Sequence, residues 1–213
     1  MTRIPLEQPG ETLYFGEQGG PLVVLVHDWF GRLPWLSEYA RTLVAEGFQV
    51  AIPDFYDGFG TIDVDDARAQ MQRLDIGAAL QVIDDVIDEA RLYGTTRVGT
   101  LGFSTGGWLA LVHAQGGEVD AVAAYYASVA ERHHSIIPCP VLLQYAESDE
   151  WEYGGEPQEF FDRLGEHGTP VTHFSYFGTL HHFANPAVPE YDPHAAALAK
   201  ARAASFLAAQ LDD

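Results

Sequence analysis

The sequence predicts an α/β fold, a mainly parallel central sheet with helices on both faces. Three observations point there. Short apolar runs rich in β-branched residues alternate with helix-patterned stretches along the chain. Leu22-Val23-Val24-Leu25-Val26 is apolar without interruption, as expected for a strand covered on both sides. Breakers fall at the joins: Gly47 and Gly94 follow helical patterns, and Pro53-Asp54 cuts off a strand.

Each element follows from its local pattern. Thr12 to Phe15 reads as an outer strand and 22–26 as a central one. Residues 35–46 carry Leu36, Tyr39, Ala40, Leu43 and Val44 at helical spacing, and Phe48 to Ile52 is the next strand. The stretch 55–62, rich in Gly, Asp and aromatics, is a loop. A long helical pattern runs from Val64 to Tyr93 with Leu74, Ala78, Val82, Val86 and Ala90 recurring, and a break is expected near Gly77. Strand 97–102 and helix 105–115 follow. Val119 to Tyr126, Val141 to Ala146 and Val171 to Phe177 read as strands, and 156–167 and 193–210 as helices. In such a sheet the ligand cleft lies at the carboxyl ends of the strands, so chemistry is expected in the loops that follow them.

Composition narrows the partners. At 213 residues with 47% hydrophobic content the chain can bury one substantial core, and 1–213 is expected to form a single domain. With 31 acidic and 11 basic residues the formal charge is −20, which argues against nucleic acid and anionic membranes as partners. The lone cysteine, Cys139, excludes an internal disulfide framework and fits a reducing compartment. No apolar run approaches membrane-spanning length and the first residues lack a signal-peptide core, so a cytoplasmic location is expected.

Gly102-Phe103-Ser104-Thr105-Gly106 is a G-x-S-x-G pentapeptide at the point where a strand gives way to a helix. The pentapeptide alone is weak in a chain rich in Ala and Gly. Its context describes a nucleophile elbow, in which a sharp turn presents the serine hydroxyl to a cleft. Such a turn holds serine at positive φ, and the flanking glycines remove Cβ clashes. A serine hydroxyl becomes a useful nucleophile only when a histidine takes its proton and an acid orients that histidine.

In elbow enzymes the chain order is Ser, then Asp or Glu, then His. Strand 141–146 runs into Glu147-Ser148-Asp149-Glu150, and strand 171–177 into Gly178-Thr179-Leu180-His181-His182-Phe183. Asp149 is the expected acid, with Glu147 and Glu150 as neighbours, and His181 or His182 is the base. Only one of the pair can aim at the serine; the other is expected to be a cap or a surface residue. An oxyanion hole needs two backbone N–H groups. Thr105 supplies one at the start of its helix, where the dipole is favourable, and His27-Asp28-Trp29-Phe30-Gly31 is placed to supply the second. His133-His134 lack a metal-ligand spacing and read as surface loop residues, and no metal or cofactor is expected. His113, His167, His173 and His194 carry no motif and read as structural.

Taken together, these signatures resemble the dienelactone hydrolase family of small α/β-hydrolases over residues 20–210. The residues that carry the resemblance are His27 to Gly31, Pro53-Asp54-Phe55-Tyr56, the elbow 102–107, Glu147-Ser148-Asp149, and Gly178 through Asn185 with Tyr191 and an Ala-rich last helix. The resemblance implies an α/β-hydrolase fold, Ser104 as nucleophile, Asp149 as acid and the Trp29 and Thr105 amides as oxyanion donors. It selects His181 as base, because Gly178, His181 and Phe183 match Gly-x-x-His-x-Phe. It also places Asp28 where members carry an acidic residue beside the nucleophile. Two positions depart from the members that cleave dienelactone. Ser104 stands where they use cysteine, and Asn185 where they have an arginine that helps hold the substrate carboxylate. A serine depends on its base more than a thiol does, so ordinary triad catalysis on a different substrate is implied.

The expected activity is hydrolysis of a small carboxylic ester, lactone or thioester through an acyl-enzyme. Asp28, Phe30, Tyr56, Phe103 and Trp151 are candidates for the substrate wall. The competing expectation is a member of the fold that binds a small ligand without chemistry.

Overall fold

The computed structural model describes residues 4–149 and 156–212. Among these, seven strands form one sheet in the order β1-β3-β2-β4-β5-β6-β7. They are β1 (Leu13–Phe15), β2 (Leu22–Val26), β3 (Gln49–Ile52), β4 (Val98–Phe103), β5 (Ala121–Tyr125), β6 (Val141–Ser148) and β7 (Val171–Leu180). Of the seven, β1 runs antiparallel, against β3; the other pairs are parallel. The helices are α1 (Trp35–Ala45), α2 (Val64–Arg73), α3 (Ile76–Leu92), α4 (Thr105–Ala114), α5 (Pro157–Glu166) and α6 (Pro193–Leu211).

The alternation of side chains along β2 explains its unbroken apolar run. Leu22, Val24 and Val26 enter a core with α3, α4 and α5, while Val23 and Leu25 enter another with α1 and α6. Both faces are therefore dry, and polar residues are excluded from either register. Membership of the helices follows their stripes: Ala79, Ile83, Val86, Ile87 and Ala90 of α3 are buried on one side, and Leu36, Tyr39, Ala40 and Leu43 of α1 on the other.

Two boundaries differ from expectation, and both matter to the site. The long helical pattern breaks at Leu74-Asp75, ahead of Gly77, because Leu74 is extended and Asp75 caps α3 by accepting from the Ala78 amide. Strand β7 continues to Leu180, past Gly178. That glycine takes φ of +75° and donates its amide to Glu147 at 2.8 Å, so it serves an irregularity within the strand and does not end it. Pairing resumes at Ser148 with Leu180. The residues immediately after, Asp149 and His181, thus leave the sheet as neighbours.

Candidate active site

Strand β4 is central, flanked by β2 and β5, and ends with Phe103 opposite Tyr125. Ser104 then takes φ of 51° and ψ of −117°, and α4 begins at Thr105. The reversal is possible only with glycine on both sides. A Cβ at Gly102 would overlap the Gly106 carbonyl, and one at Gly106 would overlap the carbonyls of Val26 and His27. The Ser104 amide donates to the Tyr125 carbonyl at 3.0 Å, and its carbonyl accepts from the Trp108 amide at 2.9 Å, which pins the turn at both ends.

Three side chains from three different loops meet there. Ser104 Oγ lies 2.8 Å from His181 Nε2. His181 Nδ1 lies 2.8 and 2.7 Å from the two carboxylate oxygens of Asp149. An ionised carboxylate only accepts, so Nδ1 carries the ring proton and Nε2 is left as acceptor toward the serine. Of the two acids adjoining Asp149, Glu147 is engaged by the Gly178 amide, and Glu150 falls outside the described residues.

His182 departs from expectation. It is neither a cap nor exposed: it is buried, with φ of 66°, against Trp29, Phe30 and Tyr126. Burial, reinforced by the neighbouring His181, depresses its pKa to about 2, so the ring is neutral. Two imidazoles side by side thus have separate environments, and only His181 faces Ser104.

Trp29 and Thr105 both border a cavity of about 300 Å³ that opens beside Ser104 and His181. Trp29 lies in the loop after β2, and Thr105 is the first residue of α4, where first-turn amides have no partner within the helix. Met71, Leu74, Ile76, Trp108 and Tyr126 supply most of the remaining apolar wall.

The proposed substrate wall needs correction. Phe103 is fully buried on the opposite side of the turn, packed on Trp35, Tyr39 and Tyr125, because period-two alternation points the residue before Ser104 into the α1–α6 core. Phe30 is buried with Trp29, Leu33, Ala67 and Val188 beneath the loop. Tyr56 packs its ring on His27 and borders a neighbouring groove with Asp54 and Arg73, away from Ser104. Trp151 lies outside the described residues.

Sequence reasoning missed Tyr126, Trp108 and the 71–76 segment. Trp108 was within reach of it, since it stands four residues after Ser104 on the same helical face. His133 and Arg132, from a single 3-10 turn at Glu131–His133, are exposed as a loop pair would be but also border the cavity. Its neighbour His134 is half-buried against Phe160 and His167. Among the described residues no group of three or more His, Cys, Asp or Glu could hold a metal ion.

Asp28 does not line the cavity. Its carboxylate accepts from the Phe30 amide and from Asn185 Nδ2, each at 2.9 Å, while Asn185 Oδ1 accepts from the Ala187 amide at 2.9 Å. Both residues are 1% exposed or less. Burial raises the Asp28 pKa to about 7, against the pull of those two donors. The pair is a strut between the loop carrying Trp29 and the loop carrying His181.

Reversing its polarity makes a clean test. Asp28→Asn sets one donor against another whichever way the amide is flipped, and Asn185→Asp sets two buried acids together. Each is expected to cost about 1–3 kcal/mol in urea unfolding. Combining the two exchanges turns the central bond around, with the amide on the Trp29 loop donating to a carboxylate on the His181 loop. Every other bond of the strut persists, so most of the loss should be recovered. Additive losses in the double variant would dissolve the strut.

A parallel sheet with one antiparallel edge strand, helices on both faces and a strained serine after a central strand defines the α/β-hydrolase fold. The sequence matches the profile of the dienelactone hydrolase family over residues 12–211, and the chain belongs to that family. It is 29% identical over 202 residues to a carboxymethylenebutenolidase of Pseudomonas putida, covering 88% of this chain and 85% of the relative. It is also 29% identical over 191 residues to "Protein usf" of Aquifex pyrophilus, covering 82% of each. In fold it is similar to the dienelactone hydrolase-like promiscuous phosphotriesterase P91 from metagenomic libraries, with TM-score 0.80, 17% identity, and 93% and 92% of the two chains covered. An esterase from Pyrobaculum calidifontis is similar with TM-score 0.66 and 16% identity, over 98% of this chain and 85% of that one.

Proposed function

We propose that the chain hydrolyses carboxylic esters, lactones or thioesters of small substrates through an acyl-enzyme on Ser104. The observation that carries this reading is the continuous line from Ser104 Oγ through His181 to Asp149, with no link longer than 2.8 Å. Ser104 attacks the acyl carbon as its proton passes to His181 Nε2. Asp149 stabilises the imidazolium through Nδ1–H without taking its proton. The oxyanion forms against the amides of Trp29 and Thr105, each such donor lowering the barrier by about 3 kcal/mol.

His181 then gives its proton to the leaving alcohol or thiol and next deprotonates the water that releases the acid. The strained Ser104 backbone supports the reading independently. A positive φ at a non-glycine residue costs on the order of 1–3 kcal/mol, and here it turns the serine side chain toward the cavity.

A fluorophosphonate probe tests the assignment. It is expected to label the folded protein at Ser104 stoichiometrically and to abolish turnover of short p-nitrophenyl esters. Folded protein that takes up no label and cleaves no ester would leave a ligand-binding member of the fold as the better reading.

A further inference from the structure

Taking Ser104 as the nucleophile, we propose that the enzyme selects esters whose acyl part ends in a single flat apolar ring, of phenylacetyl size. The cavity that borders Ser104 and His181 is graded. Trp29 and Tyr126 are buried at its inner end, Met71, Leu74 and Trp108 are half-buried, and Gln72, Arg132 and His133 are exposed at the rim. An acyl group entering from the rim therefore meets progressively drier and more aromatic surface as its carbonyl approaches the serine.

The side of the cavity assigned to the acyl part follows from the chemistry. His181 must protonate the leaving oxygen, so the leaving group lies toward His181 and the acyl group away from it. On the α4 side of Ser104 stand Trp108, one turn further along the helix, and Met71, whose Sδ lies 3.4 Å from Thr105 Oγ1, and the acyl part is assigned to that side. These residues, with Ile76, bound the acyl side.

Two features favour a ring over a flexible chain. Trp108 is the aromatic face on the acyl side, half-buried and meeting His133 edge-on at 6.0 Å, while Trp29, stacked on His182 with centroids 5.9 Å apart and planes 18° apart, and Tyr126, 4.8 Å from the His181 ring, close the inner end around the reacting carbonyl. Fixed ring faces reward a flat partner beyond simple burial, by roughly two- to tenfold in affinity for one well-formed contact, and a ring loses few rotamers on binding. Volume sets how much of the acyl group can be buried. An apolar cavity of about 150 Å³ holds one benzene, so about 300 Å³ accommodates one ring together with the reacting ester group. A fused second ring would be pushed out to the exposed rim of Gln72, Arg132 and His133, where it gains little from burial.

The test compares kcat/KM for ethyl acetate, ethyl hexanoate, ethyl phenylacetate and ethyl 1-naphthylacetate, alongside fluorophosphonate labelling. Wild type is expected to prefer phenylacetate over acetate by about tenfold or more, and over hexanoate by several-fold. Trp108→Ala should shrink the phenylacetate-to-acetate ratio by about tenfold. Ile76→Asp provides a second variant that does not endanger folding. Ile76 is exposed at the first position of α3, where an acid is favourable to the helix, and a carboxylate there should lower the same ratio several-fold.

Labelled enzyme that handles hexanoate as well as phenylacetate, or naphthylacetate as well as either, would overturn the ring preference while leaving Ser104 as nucleophile. A ratio unmoved in both variants would do the same. No labelling of folded protein would remove the nucleophile, and the ring preference with it.

Discussion

Ser104→Ala is expected to reduce kcat/KM for any ester substrate by about 10⁴-fold or more, with the folded state almost unaffected. The two halves of that expectation have separate physical origins. In the proposed mechanism the hydroxyl is the attacking atom, and His181, Asp149 and the oxyanion amides serve that attack. Residual turnover would come only from water bound in the same place.

Stability responds differently because Ser104's strain resides in φ and ψ, not in its side chain. Alanine at φ of 51° bears the same backbone cost as serine and loses one hydrogen bond, to His181. A net contribution of about 1 kcal/mol is typical of such a bond, and Ser104 borders a cavity, so water can replace it. A thermal melt of the variant within a few degrees of wild type, together with turnover at background, is the expected pair of results. Turnover within tenfold of wild type would remove Ser104 from the mechanism.

Gly106→Ala should show the reverse pattern, a change two residues away that acts first on stability. The added methyl would collide with the carbonyl oxygens of both Val26 and His27. Those atoms are backbone at the end of β2, a fully buried strand paired on both sides, so no side chain can swing aside. Either α4 lifts from the sheet or β2 and its loop shift. Overpacking of this kind costs about 3 kcal/mol or more, a large share of the stability of an ordinary domain. A fall of about 3 kcal/mol in unfolding free energy by urea titration is expected. Because the loop displaced is the one carrying Trp29, surviving folded enzyme should also lose kcat. A variant as stable and active as wild type would mean that the turn is looser than these contacts require.

The elbow was legible because its requirements are local. A buried strand, two glycines and a helix start are all visible within a dozen residues. The placement of Asp149 and His181 was legible in order but not in proximity, since their meeting depends on the β6–β7 pairing that resumes at Ser148 and Leu180. Gly178 suggested a turn because glycine at positive φ more often ends a strand than sits within one.

Phe103 and Phe30 lie inward, each for its own reason. An aromatic near a reactive serine suggests a substrate wall, yet strand alternation sends Phe103 into the α1–α6 core, and the turn after β2 folds Phe30 onto Leu33, Ala67 and Val188. The 71–76 segment was hidden for a different reason. Leu74 reads as one member of a continuous helical stripe, and only the break after α2 turns Met71, Leu74 and Ile76 to the cavity, the first two packing on the core as well. Even the helix break was signalled only weakly, by an aspartate at position 75 whose capping role becomes plain once Leu74 is seen to be extended.

The lightly anchored helix α2 has a consequence for how such a protein changes over generations. Only Ala67 of its ten residues is buried, so replacements at its cavity-facing end and in the short joint to α3 leave the sheet untouched. Most surface replacements shift folding free energy by less than about 0.5 kcal/mol, and Ile76 is such a position. A lineage can therefore change what Ile76 presents to the cavity while the Ser104–His181–Asp149 line, held on separate loops, is inherited intact.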